Sequence, residues 1–192
     1  MTAAAPIEHP SAWLGGDLAA ADSWIYRFTA EDLAELEAAV ASVERRGLAT
    51  TAVATADFPL PTLGPRLAAL LAEVRDGRGF VVLRGLPVAA YGPERAARAY
   101  WGIGTYFGRA VHQNPAGDLL GEVRDKGKRW GELGVRGPDT NGQLNFHTDY
   151  ADIVGLICLG RARQGGLSRI ASSVTLYNEL LRHHAEHLPL LH

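Results

Sequence analysis

At 192 residues, 47% of them hydrophobic and 21% charged, the chain has the length and composition of one globular domain with a core of its own. Its formal charge of −2 gives no basis for nucleic acid or an anionic membrane as partner. No apolar run approaches the about 18 residues of a membrane span, and Met1 to Pro6 shows no basic region leading into an apolar one, so a cytoplasmic protein is expected.

Residues 1–28 read as an irregular N-terminal arm, because Pro6 and Pro10 oppose a helix while Trp13 and Trp24 can clamp the arm to the body. Thr29 and Asp32 form a capping-box pattern that opens an amphipathic helix, with Leu33, Leu36, Val40 and Val43 on one face and Gly47 as its stop. The acidic cluster Glu31, Asp32 and Glu35 complements the dipole of the first turns and reads as a solvated face. Pro59-Leu60-Pro61 breaks the chain before a second helix, which turns Leu67, Leu70, Leu71 and Val74 inward and ends at Gly77.

Phe80 to Leu83 is expected to be a short buried strand, and residues 93–107 a helix with Pro93 in its first turn. Gly102-Ile103-Gly104 with Gly108 lacks the spacing and the strand-to-helix position of a phosphate-binding loop. Leu119 to Val123 is a candidate strand. Asp125 to Asn141, carrying Lys126, Lys128, Arg129, Trp130 and Arg136, reads as a long loop that either covers a substrate or is merely solvated. Ile153 to Leu159 is an apolar run of the length and branching of a buried strand, with Cys158 inside it as a buried, inert thiol.

Gln143 to Tyr150 reads Gln-Leu-Asn-Phe-His-Thr-Asp-Tyr. In a strand, side chains two apart share a face, so His147 and Asp149 would project together, and Asn145 with them. An imidazole and a carboxylate are two members of the facial triad that holds Fe(II) with positions open for co-substrate and O2. The spacing alone equally describes an exposed loop pair.

The flanks narrow that choice. Gly79-Phe80-Val81-Val82-Leu83-Arg84-Gly85, Phe146-His147-Thr148-Asp149, the apolar run, Gly165-Gly166-Leu167-Ser168 and Tyr177-Asn178-Glu179-Leu180 follow one another in order. Over roughly residues 75 to 190 the chain thereby resembles the TauD/TfdA-like Fe(II)/2-oxoglutarate-dependent dioxygenase superfamily. The resemblance implies an α+β fold, a double-stranded β-helix (jelly roll, clavaminate synthase-like) with flanking helices. Residues 29–192 would be its front portion, with the C-terminal strands missing.

It also implies Fe(II) as cofactor, 2-oxoglutarate and O2 as co-substrates, and oxidation of a small organic substrate with release of succinate and CO2. His147 and Asp149 match the first two iron ligands. Ser168 stands where the family has a Thr that helps hold the distal carboxylate of 2-oxoglutarate; a hydroxyl that bonds its own turn is the alternative. Asn145 can meet the co-substrate or satisfy a backbone group. His112 and Gln113 fall near the family's substrate, or else form a polar turn before Pro115.

The family's second His ligand and its carboxylate-binding Arg lie farther downstream, and nothing after Gly166 resembles that strand. His183, His184 and His187 read as cations at a solvated helix end, not as a replacement. A non-catalytic truncated or degenerate fragment is therefore the alternative to an oxygenase. A zinc hydrolase built on His147 and Asp149 would lack a third ligand at any familiar spacing. Uncovered strand edges would invite self-association.

Overall fold

The computed structural model describes residues 5–129, 131, 135 and 137–191. In chain order it contains α1 (Gly15–Ala19), β1 (Ile25–Arg27), α2 (Ala30–Arg45), α3 (Leu63–Asp76), β2 (Val82–Arg84), α4 (Val88–Gly104) and α5 (Ser173–His183). Short 3-10 turns occur at Thr50–Ala52, Thr55–Asp57, Gly137–Asp139 and Ala185–Leu191.

The apolar faces of α2, α3 and α4 meet in one cluster. Leu36, Ala39, Val40 and Val43 come from α2, Leu63 and Leu67 from α3, and Ala99 and Ile103 from α4, with Val53, Phe58 and Leu60 from the connection between α2 and α3. These are the positions that helical periodicity marks on α2. Pro93 opens the regular part of α4, because Gly92 just before it sits at φ 68° and ψ 173°. Gly102 has a packing role: a Cβ there would lie 2.5 Å from the buried Phe58 ring. Tyr106 locks the same corner, donating to the Phe58 carbonyl at 2.8 Å and accepting from the Leu60 N–H at 2.9 Å.

The acidic cluster is not a solvated face. Asp32 is 0% exposed and accepts from the Thr29 N–H at 2.9 Å, the Tyr26 hydroxyl at 2.7 Å and Arg66 Nη1 at 2.5 Å. Thr29 returns the capping box by accepting the Asp32 N–H. Glu35 caps a different helix: its two oxygens accept from the Thr62 and Leu63 N–H groups at 2.8 and 2.7 Å, satisfying donors at the start of α3. Only Glu31 remains exposed, beside Arg66. Tertiary contacts across more than twenty residues turned charges that suit a helix N-terminus into a junction between elements.

The predicted strand lies at Val82–Arg84, starting two residues later and ending one later than expected; it is not buried, since Val82 and Arg84 are exposed, and its partner is β1. The pair is parallel, with Ile25 opposite Val82, Tyr26 opposite Leu83 and Arg27 opposite Arg84. The arm is thus not wholly irregular, holding both α1 and β1. Its tryptophans do clamp it: Trp13 Nε1 donates to the Arg78 carbonyl at 2.9 Å, and the Trp13 and Trp24 rings pack on Phe80 with centroids 5.4 and 5.9 Å away.

Between Gly108 and Ala171 the only regular element among the described residues is the turn Gly137–Asp139. Leu119 to Val123, Gln143 to Asp149 and Ile153 to Leu159 are not strands, and the described residues do not form a jelly roll. Nor is the apolar run a core element, since Val154, Leu156 and Leu159 are exposed, Leu156 at 74%. Cys158 is exposed rather than buried. The cause is common to all of them: a strand is stable only when its N–H and C=O groups find a ladder, and β1 and β2 offer these segments none. In the basic loop, Lys126 and Lys128 reach Asp139 at 2.7 and 3.5 Å, so part of its charge is neutralised internally. Trp130 and Arg136 lie outside the described residues.

Two outcomes follow from this packing. Burial alone would raise the Asp32 pKa, but the hydrogen bonds from Thr29 and Tyr26 and the charge of Arg66 outweigh it and hold the carboxyl below its ordinary value. A depressed carboxyl stabilises the fold above its unfolded pKa, about 3.9, and that contribution disappears as pH falls through the lower folded value. Asp32→Ala is expected to cost about 3 kcal/mol, the low end for a broken buried pair because Arg66 is partly solvated. Urea melts at pH 7 and below pH 4 should show the deficit shrinking in acid. Separately, each large apolar side chain left in water forgoes about 1.5–3 kcal/mol of burial, so the chain is expected to sediment as oligomers. A monodisperse monomer in analytical ultracentrifugation would refute that.

Candidate functional site

The central motif lies on an exposed, irregular segment that follows the turn at Gly137–Asp139. His147 and Asp149 are both exposed, as are Asn145, Phe146 and Tyr150. One hydrogen bond organises the imidazole: His147 Nδ1 lies 2.7 Å from the Asn145 carbonyl oxygen. A carbonyl has no proton to give, so Nδ1 carries the hydrogen, and in the neutral imidazole Nε2 is then the nitrogen with the free lone pair. A backbone partner of this kind fixes the tautomer and orientation of metal-binding histidines. Asn145 therefore serves His147 through its main chain, from a position that the alternation argument assigned to its side chain.

The other predicted residues are not gathered around this imidazole by any secondary-structure element. Ser168 is exposed and follows Gly165 and Gly166, at φ 72° and 70°, where side-chain-bearing residues are disfavoured. His112 and Gln113 sit on an exposed turn closed by the Gln113 N–H to the Asp118 carbonyl at 2.6 Å and by Asn114 to Asp118 at 2.6 Å. No third His, Cys, Asp or Glu joins His147 and Asp149 in a ligand cluster among the described residues.

Two long-range contacts that carried no sequence signal place this half of the chain. The apolar run crosses α4 at Gly155, where a Cβ would lie 2.8 Å from the Tyr100 hydroxyl oxygen. Desolvation there pushes the Tyr100 pKa up. Leu159 then lines a shallow depression with Val88, Ala89, Gly92 and Pro93 at the start of α4. Beyond the Gly165-Gly166 turn, α5 is strapped to the N-terminal arm. Ser172 caps α5 by accepting the Thr175 N–H at 2.9 Å and donates to the Ser11 carbonyl. Thr175 donates to the Trp13 carbonyl at 2.7 Å, and Asn178 pairs with both backbone groups of Ile7 at 2.8 and 2.9 Å. Serine, threonine and asparagine at such sites look like any solvated helix start until the partner strand of chain is present.

A sequence model of the taurine catabolism dioxygenase TauD, TfdA family matches residues 44–192. The chain belongs to this family. Among curated relatives it is 31% identical over 186 residues to the FR-33289 synthase of Streptomyces rubellomurinus, covering 96% of this chain and 55% of that protein. It is 34% identical over 179 residues to the taurine hydroxylase-like protein SAT17 of Stachybotrys chartarum, covering 88% of this chain and 46% of that one. The chain thus spans about half the length of the curated relatives it matches. No described helix is long and apolar enough to cross a membrane.

The His147 geometry is directly measurable. In 15N NMR of imidazole-labelled protein, neutral His147 is expected as the Nδ1–H tautomer, with an unprotonated Nε2. A dominant Nε2–H form would show that the Asn145 carbonyl does not orient the ring.

Proposed function

We propose that this chain carries the iron-binding motif of an Fe(II)- and 2-oxoglutarate-dependent oxygenase acting on a small organic substrate. The observation that supports the reading most directly is the Asn145–His147 hydrogen bond, which presents Nε2 as a metal ligand two residues before the carboxylate of Asp149. Neutral imidazole with carboxylate suits Fe(II), and a third protein ligand would complete the facial set. Ser168, after the paired left-handed glycines, offers a hydroxyl for the distal carboxylate of 2-oxoglutarate. Iron held there would supply O2 activation, with 2-oxoglutarate oxidised to succinate and CO2 as the substrate is oxidised. His147 and Asp149 would orient the ion. Residues 143–159 would pair into a jelly roll and exclude water once further strands cover their apolar side.

A second reading, a non-catalytic fragment of such an enzyme, is favoured by one observation: among the described residues His147 and Asp149 belong to no group of three metal-ligating side chains.

One assay separates these readings. With Fe(II), ascorbate and 2-oxoglutarate, the 192-residue chain by itself is expected to form no succinate above the level of its His147→Ala variant. In a polypeptide of the relatives' full length, succinate formation should appear and fall to background on His147→Ala or Asp149→Ala. Robust turnover by the 192 residues, abolished by His147→Ala, would show that this chain or a second copy completes the site.

A further inference from the structure

The C-terminal turn holds a second set of metal-ligating groups, unrelated to the motif at 147–149. In a 3-10 helix, side chains three residues apart eclipse one another. The chain enters such a turn as α5 ends: the His187 N–H donates to the His184 carbonyl at 2.9 Å. The two imidazoles consequently stack, with centroids 5.9 Å apart and planes 23° from parallel. Glu186 lies between their nitrogens, its Oε1 3.5 Å from His184 Nδ1 and 3.7 Å from His187 Nε2. One ligand atom from each of the three residues falls within 4.8 Å of the others.

These distances suit a shared ion. Ligand atoms each about 2.1 Å from one metal stand about 3.4 Å apart in a tetrahedron, so the set needs to close by little more than an ångström at its widest pair. Two separate observations argue for preorganisation. Leu188, the next residue, is buried at 8% exposure and anchors the turn, and Pro189 restricts the backbone within it. The neighbouring His183 is engaged elsewhere, 3.5 Å from Glu179, which leaves a set of two imidazoles and one carboxylate. All three side chains are exposed, so water can complete the coordination.

We propose that His184, Glu186 and His187 form a surface site for a borderline divalent cation, with Zn2+ as its probe. Two neutral imidazoles and a carboxylate are the donors such ions select, whereas Mg2+ and Ca2+ prefer all-oxygen sets. The cation would cross-link the end of α5 to the turn that follows it.

The test uses the 192-residue chain carrying no polyhistidine tag, titrated with Zn2+ against a chromophoric chelator. One Zn2+ per chain is expected at this site. Losing a ligand should weaken binding by at least the about 10- to 100-fold seen when supporting residues of metal sites are changed, so His184→Ala and His187→Ala should each fall by that much. His147→Ala should leave this affinity unchanged, which keeps the outcome separate from the iron-site reading. In the unmodified chain, the imidazole 15N resonances of His184 and His187 should be the first to move on Zn2+ addition. A wild type that binds no more tightly than the His184→Ala/His187→Ala double variant would overturn the proposal. So would binding lost only through His147→Ala.

Discussion

The carboxylate of Asp32 joins three elements at one point. It completes the N-cap of α2 through Thr29, takes the hydroxyl of Tyr26 on β1, and receives the guanidinium of Arg66 on α3. A buried carboxylate is costly unless each lone pair is used, and here the partners come from all sides. Beside it, Glu35 caps α3. The orientation of the helices around Phe58 and Leu36 is thus set by a polar junction at one end and by close packing, such as Gly102 against Phe58, at the other. A second polar lattice links α2 to α4, where Arg95 reaches Glu37 at 2.7 Å and Glu44 at 3.1 Å. Tyr91, whose ring faces Arg95, has its pKa pushed up to about 12 by desolvation and by Glu37.

Among the described residues after α4, two stretches are attached to the rest of the fold. The apolar run touches α4 at Tyr100 and at its start, and α5 is held by the arm through Ser172, Thr175 and Asn178. Between these attachment points the chain carries apolar side chains that face solvent, Leu156 and Leu167 among the most exposed at 74% and 82%. His147 and Asp149 lie a few residues before the first of these attachments.

The three-helix core was legible because helix signals are local. The capping box at Thr29, the spacing of Leu36, Val40 and Val43, and the stop at Gly77 each lie within a few residues of the element they control. His147, Asp149 and the Gly165-Gly166 turn stood out for another reason: they resemble a family order, and the family model matches residues 44–192. Of the two described strands, β2 was legible as an apolar run and β1 was not, and a run specifies only the capacity to pair. Whether Ile153 to Leu159 becomes a buried strand depends on a ladder that lies elsewhere in the chain or beyond it.

By itself, then, the sequence determined α2, α3, the regular part of α4 and the family, and it nominated the candidate ligands, all from short-range patterns. Tertiary structure alone decided that Asp32 is a buried junction, that β2 pairs in parallel with β1, and that the arm straps α5. It also decided that His147 is oriented by the Asn145 carbonyl and that His184, Glu186 and His187 converge. The physical reason is common to Asp32, the strand pair and the arm, whereas the contacts at 145–147 and 184–187 are local and depend on backbone conformation. A side chain's charge or hydrogen-bonding capacity is a property of its residue, but its partner is a property of the fold, and partners up to 171 residues away leave no local trace.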